Sequence, residues 1–245
     1  MPLLVRRQSC SSLSEKFKMI SDLFLELLLK SGALKFGEFK TKSGRLSPYF
    51  FNTGCFNSAH IMGAVSEHYA VLIAEKFGHH GINNLFGPAY KGIPLAVMIA
   101  DRLAKRLGRD VSFTFNRKER KDHGEQGLLV GYDYSLKSDV KIVVVEDVLT
   151  GGTSLRETYE FLKPFNLEIL GIAVGIDREE RGLHFPQKTA KQEMEELFGV
   201  KIYPVITLTE IVSRLHNQEF LGKIWINNAD FKKIQDYQAQ FGFRG

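Results

Sequence analysis

The stretch from Lys141 to Ser154 reads KIVVVEDVLTGGTS, and it limits the possible folds more than any other part of the chain. From Ile142 to Val145 every residue is apolar and β-branched. A strand with one solvated face alternates apolar and polar residues, so an unbroken apolar run points to a parallel sheet covered on both faces. Further short apolar strands are expected at Asn84–Phe86, Val111–Phe115, Ile169–Ile176 and Ile202–Ile206, most of them separated by helical patterns. Strand and helix in alternation define an α/β fold. Ligands of such sheets bind beyond the carboxyl ends of the strands, which directs attention to the segments after Phe86, Phe115, Val145 and Ile176.

Helices are expected from about Ala59 to Phe77 and from about Gly92 to Leu107, the second with Ile93, Ala96, Val97, Ala100, Leu103, Ala104 and Leu107 on one face. An earlier amphipathic helix carries Leu13, Phe17, Ile20, Phe24, Leu27 and Leu28, opens on a possible capping box of Ser12 and Glu15, and stops at Gly32. The region from Lys35 to Asn57, rich in turn residues and aromatics, reads as a small hood of N-terminal hairpins. The expected architecture is therefore a parallel sheet flanked by helices with this hood added. Residues 1–18, with Arg6, Arg7 and several serines, read as a poorly ordered arm ahead of a single domain spanning 19–245.

Composition excludes several classes. At 245 residues, 44% of them hydrophobic, the chain can bury a sizeable core but leaves no room for a second catalytic unit such as a (β/α)₈ barrel, which alone takes ~250 residues. No run approaches the ~20 apolar residues that span a bilayer, so no membrane association is expected. Cys10 and Cys55 are too few for a disulfide framework and fit a reducing cytoplasm. The net charge of +5 does not call for nucleic acid, since a site for a small polyanion explains it equally well.

The segment after Val145 carries the chemistry. Gly151 and Gly152 allow a tight turn with converging backbone amides, and the start of a helix adds positive dipole, a combination that suits a phosphate monoester. Ser154 and Glu157 can cap that helix. Glu146 and Asp147 stand about one sugar away from such a phosphate and can accept hydrogen bonds from the vicinal hydroxyls of a ribose. The loop lacks the lysine of a nucleoside triphosphatase and the Gly-x-Gly-x-x-Gly of a dinucleotide fold. A strand ending in two solvated acids and a glycine turn is the alternative reading at this point.

Residues Val143 to Ser154, VVVEDVLTGGTS, resemble the phosphoribosyl-diphosphate loop of the type I phosphoribosyltransferases. Four further segments narrow the resemblance to the orotate phosphoribosyltransferases: FGEFKTKSGRLSPYFFNTG at 36–54, FGPAYKGIPLA at 86–96, FNRKERKDHGEQGLLVG at 115–131 and GIDREERG at 175–182. Their order and spacing also agree, from about Met19 to the tail at Phe241–Phe243. Glu146 stands where many members have Asp, and residues 1–18 precede the usual family start.

The resemblance implies transfer of a 5-phosphoribosyl group from 5-phosphoribosyl 1-diphosphate to orotate, with Mg²⁺, in a homodimer. It implies that Glu146, Asp147, Val148, Leu149, Thr150, Gly151, Gly152, Thr153 and Ser154 hold the phosphoribosyl group, and that Lys42, Tyr90 and Lys91 lie on the diphosphate side. The segment 116–127 reads independently as a mobile, charged lid with Gly124 and Gly127 as hinges, able to close over an anionic substrate. By resemblance it crosses the dimer interface, and Arg117, Lys118, Lys121 and His123 contact diphosphate. Lys121, His123 and Asp147 are then the catalytic candidates. Phe50 and Phe51 can stack on a planar base, or simply pack in the core. Arg178 offers orotate's carboxylate a bidentate partner, and Thr150 matches a residue touching the same base. Transfer to another base, and a non-catalytic diphosphate-binding regulator, are the competing readings. The regulator alone would add a nucleic-acid partner.

Overall fold

The computed structural model describes residues 13–40, 44–117, 128–131, 140–165 and 167–242. The chain runs through α1 (Leu13–Lys30), β1 (Leu34–Lys40), β2 (Leu46–Phe51), α2 (Ala59–Phe77), β3 (Asn84–Phe86), α3 (Gly92–Leu107), β4 (Ser112–Asn116), β5 (Leu129–Val130) and β6 (Lys141–Leu149). It continues with α4 (Thr153–Leu162), β7 (Glu168–Asp177), α5 (Ala190–Phe198), β8 (Ile202–Thr207), α6 (Leu208–Leu215), β9 (Glu219–Phe220), β10 (Lys223–Ile224) and α7 (Asn228–Phe241). Of the expected arm, residues 1–12 lie outside the described residues, while 13–18 form the first turns of α1.

The central sheet has the order β5-β4-β3-β6-β7-β8. Its members from β4 to β8 are parallel, and only the short edge strand β5 pairs antiparallel to β4. The unbroken apolar run of β6 has the cause expected of it. Val143 and Val145 enter the core on the face covered by α1, α2 and α3, while Ile142 and Val144 enter the core beneath α4 and α5. Each of these four side chains is fully buried, and burial of one such residue contributes roughly 1.5–3 kcal/mol.

Strand order fixes where a ligand can enter. From β3 the chain moves outward to β4 on one side and then crosses to β6 on the other, so the crevice between β3 and β6 is the topological switch point. The hood expected from several hairpins is a single one, β1 paired antiparallel with β2. Its Tyr49 is buried against Tyr237 of α7, with ring centres 5.5 Å apart, and the Tyr49 hydroxyl accepts a bond from Gln238 Nε2 at 3.1 Å. The C-terminal helix thereby seats the hood on the sheet.

Candidate active site

Beyond β6 the backbone turns through Thr150, Gly151 and Gly152 into α4. Gly152 occupies the N-cap position with φ +89°, a left-handed conformation that favours glycine, and no side chain caps the helix. The first amides of a helix have no partner within it. Here they border a cleft of about 560 Å³ whose walls include Glu146, Thr150 to Ser154, Arg45, Glu180 and Phe241. The expected capping by Ser154 does not occur. Its hydroxyl instead donates to Glu146 Oε2 at 2.6 Å, because a carboxyl on a residue only 8% exposed needs a donor more than a helix end in contact with solvent does.

Glu146 and Asp147 diverge, as successive residues of a strand must. Glu146 faces the α4 turn. Burial, and then the adjacent Asp147 charge, push its carboxyl above the usual carboxylate range. Its backbone carbonyl accepts a 2.7 Å bond from the buried Tyr69 hydroxyl of α2, which holds the strand end in place. Asp147 faces the opposite wall. One oxygen accepts from the Val148 amide at 2.8 Å, and the other accepts from the Thr53 hydroxyl and lies 3.7 Å from Lys91 Nζ. The acid pair therefore straddles the crevice.

The second wall follows β3. Gly87 and Gly92 approach so closely that a Cβ on Gly87 would lie 2.1 Å from the Gly92 carbonyl oxygen, so only glycine permits this tight turn. Within it the Ala89–Tyr90 peptide is cis, Tyr90 is exposed, and the Ala89 amide donates to Asn116 Oδ1 at 2.7 Å. Lys91 sits at the N-cap of α3, again without a side-chain cap. At α3 the Gly92 and Ile93 amides are taken by the Pro88 and Tyr90 carbonyls at 2.9 and 3.3 Å and Pro94 has no amide proton, so one open helix start, that of α4, converges with the acid pair and the lysine on the β3/β6 crevice.

Arg178, expected as the partner of a carboxylate, lies just past β7. It is 8% exposed, ion-paired to Glu180 at 2.7 Å, and its guanidinium lies 4.9 Å from the Tyr49 ring centre. Its partner Glu180 lines the cleft together with Arg45, 3.6 Å away. Arg178 Nε has no hydrogen-bond partner among the described residues. Phe50 is exposed and stacks on Phe39 at 5.4 Å, and Phe51 is half-buried beside Tyr49. Arg117 continues β4, its amide bonded to the Leu128 carbonyl at 2.8 Å. Lys42, Lys118, Lys121 and His123 lie outside the described residues, as do the hinges expected at Gly124 and Gly127.

Sequence reasoning missed Thr53, Tyr69, Asn116 and Glu193. The carboxylate of Glu193, 2% exposed, pairs with Arg156 of α4 and accepts the His184 and Phe185 amides at 3.2 and 3.1 Å. It thereby fixes the loop that carries Leu183 over Gly151. Only Thr53 had a local cue, its place directly after the Phe50-Phe51-Asn52 run.

A larger cavity of about 740 Å³ lies between α6 and α7. Its polar groups bond to one another: Glu179 takes the Thr209 amide and hydroxyl, and His216 stacks on Phe231 and bonds Asn228. The smaller cleft is the one with unsatisfied helix amides and is the better candidate.

Comparison with known proteins agrees with this geometry. The phosphoribosyl transferase domain matches residues 59–198. An orotate phosphoribosyltransferase of Clostridium botulinum (strain Alaska E43 / Type E3) is 40% identical over 220 residues, covering 89% of this chain and 96% of the relative. One from Photorhabdus laumondii is 42% identical over 221 residues, with 89% and 96% covered. The crystal structure of the Francisella tularensis orotate phosphoribosyltransferase superposes with a TM-score of 0.71 at 34% identity, covering 90% of this chain and 99% of that one. The chain belongs to the phosphoribosyltransferase family and, within it, to the orotate phosphoribosyltransferases.

Proposed function

We propose that this enzyme transfers the 5-phosphoribosyl group of 5-phosphoribosyl 1-diphosphate to orotate, forming orotidine 5′-phosphate and diphosphate in pyrimidine biosynthesis. The observation that carries the reading is the bare α4 start beside the acid pair. The amides of residues 150–154 receive the 5′-phosphate, and Glu146 and Asp147 take the ribose hydroxyls from either side. The negative charge of Asp147 also favours the positive charge that grows on the ribose ring as its C1–O bond to diphosphate breaks. Lys91 and Tyr90 bind the diphosphate, with Lys42, Arg117 and Lys118 on the same side.

Lys121 and His123 answer the negative charge that develops on the departing diphosphate, from a lid shared across a homodimer. Phe50 or Phe51 stacks on the base, beside Thr150. Orotate brings a carboxylate, and Arg178 is its partner in this scheme. Within the protein Glu180 answers the Arg178 charge, so orotate competes with Glu180 for it.

Mg²⁺, which takes oxygen ligands, fits the carboxylate and hydroxyl oxygens of the crevice. With Glu146 and Asp147 engaged by Ser154 and Thr53, diphosphate, ribose and water oxygens would supply most of its coordination. Bound there it would neutralise the leaving group. No described helix is long and apolar enough to cross a membrane. We place the enzyme in the cytoplasm, without a nucleic-acid partner, as one domain whose first element, α1, takes in residues 13–18 of the expected arm.

The test mixes protein, Mg²⁺, the diphosphate substrate and orotate, and follows the ultraviolet absorbance of the base, with uracil and adenine as controls. Orotate alone should be consumed. Lys121→Ala should lower kcat by about 10²-fold, the scale for one lost charge contact in the transition state. Arg178→Ala should raise KM for orotate selectively. Turnover of a control base in place of orotate would overturn the assignment.

A further inference from the structure

The hood touches the catalytic acid at one point, Thr53. This residue opens the short 3₁₀ turn Thr53–Cys55 behind β2 and is 8% exposed. The turn is firmly anchored. The Asn52 amide donates to the Ala33 carbonyl at 2.7 Å, Asn52 Oδ1 accepts from the Gly54 amide at 3.2 Å, and the Phe56 amide closes on the Thr53 carbonyl at 3.0 Å. Its hydroxyl position is therefore set by backbone rather than by a flexible side chain.

A hydroxyl has one proton to give and lone pairs to receive. Thr53 uses both: it donates to Asp147 Oδ2 and accepts from Lys91 Nζ at 3.1 Å. Lys91 Nζ is closer to this hydroxyl than to the Asp147 carboxylate, which lies 3.7 Å away. The lysine and the acid are thus held apart by an intervening OH rather than closed into a direct pair. The Lys91 side chain is 67% exposed, so its charge remains within reach of an incoming anion.

Resting on the function proposed above, we infer that Thr53 is a positioning residue that spaces Lys91 from Asp147, so that the lysine is available to the diphosphate and the acid to the ribose. Without the hydroxyl, the two charges close on each other, and the substrate must separate them before it can bind. The cost then falls on affinity for the diphosphate substrate and not on the chemical step.

The experiment measures kcat and both Michaelis constants in the full-length protein, beginning with the unaltered chain. Absence of orotate turnover there would refute the proposed function, independently of Thr53. Given turnover, Thr53→Val, which keeps the shape and removes the hydroxyl, should raise KM for the diphosphate substrate by about 10-fold, with kcat and the orotate KM within about 2-fold. Thr53→Ser should restore KM to within about 2-fold. Thr53→Ala provides the same reading should the valine variant not fold.

In a Lys91→Gln background nothing remains to be spaced, so Thr53→Val should cost less than about 2-fold there. Equal penalties with and without Lys91, an unchanged KM in the valine and alanine variants, or parallel rises in both Michaelis constants together with a fallen Tm would each overturn the inference.

Discussion

α6 and α4 both begin just beyond the carboxyl end of a strand of the same sheet, yet their first turns are completed differently. At α6, Thr207 Oγ1 accepts from the Glu210 amide at 3.2 Å, Glu210 accepts from the Thr207 amide at 2.8 Å, and Glu179 takes the Thr209 amide at 2.7 Å. Side chains likewise cap α2, α5 and α7 through Ser58, Thr189 and Asn227. At α4 and α3, Gly152 and Lys91 hold the N-cap position and no side chain caps either helix. These two helices follow β6 and β3, which are neighbours in the sheet. A cap stabilises a helix by about 1 kcal/mol. α3 satisfies its first amides through the Pro88 and Tyr90 carbonyls instead, whereas α4 goes without a side-chain cap where it borders the cleft.

That contrast can be broken directly. Gly152→Asp places a carboxylate where the phosphate should sit. It should lower kcat/KM for the diphosphate substrate by about 10²-fold, on the scale of a lost set of charge contacts. Tm should fall by about 2–4 °C in a thermal melt, because a Cβ at φ +89° is strained and presses on Met194. Asn116→Ala releases the Ala89 amide in the turn that leads into α3. KM for the same substrate should rise roughly 5-fold, the size of one hydrogen bond, with Tm little changed.

Thr207→Ala is the mirror experiment on the capped side. It should cost about 1 kcal/mol and lower Tm by about 2–4 °C, with kinetics unaltered. A kinetic defect there would show that capped ends also serve the reaction.

Glu146→Gln acts through the pH dependence of stability. The folded protein raises this carboxyl above its ordinary value, so its charged form is the disfavoured one. Stability attributable to it is present below about pH 4.3 and is lost as pH rises through the elevated value. The variant should therefore melt about 2 °C higher than the parent at pH 8. In calorimetry the difference should vanish near pH 4.

Features with a local cause were legible in the sequence. α2 and α3 span the expected residues, and β6 lies where its unbroken apolar run put it, because periodicity over many residues depends on the covered faces alone. The acid pair and glycine turn were legible too, since their types and spacing carry the chemistry. The hidden contacts join distant parts of the chain. Thr53 meets Asp147 across 94 positions and Asn116 meets Ala89 across 27. Ser154 resembled a cap until burial of Glu146 redirected its hydroxyl. The burial of Arg178 depends on Tyr49 and Tyr237, from opposite ends of the chain.

The end of α7 is bound to the loop that follows β7. The Arg181 amide donates to the Phe241 carbonyl at 2.9 Å, and its guanidinium reaches the carbonyls of Gly242 at 2.7 Å and Ala239 at 3.3 Å. Phe241 itself walls the cleft. One wall of the cleft is therefore set by the last described turn of the chain, and its shape depends on residues 239–242 staying docked on Arg181.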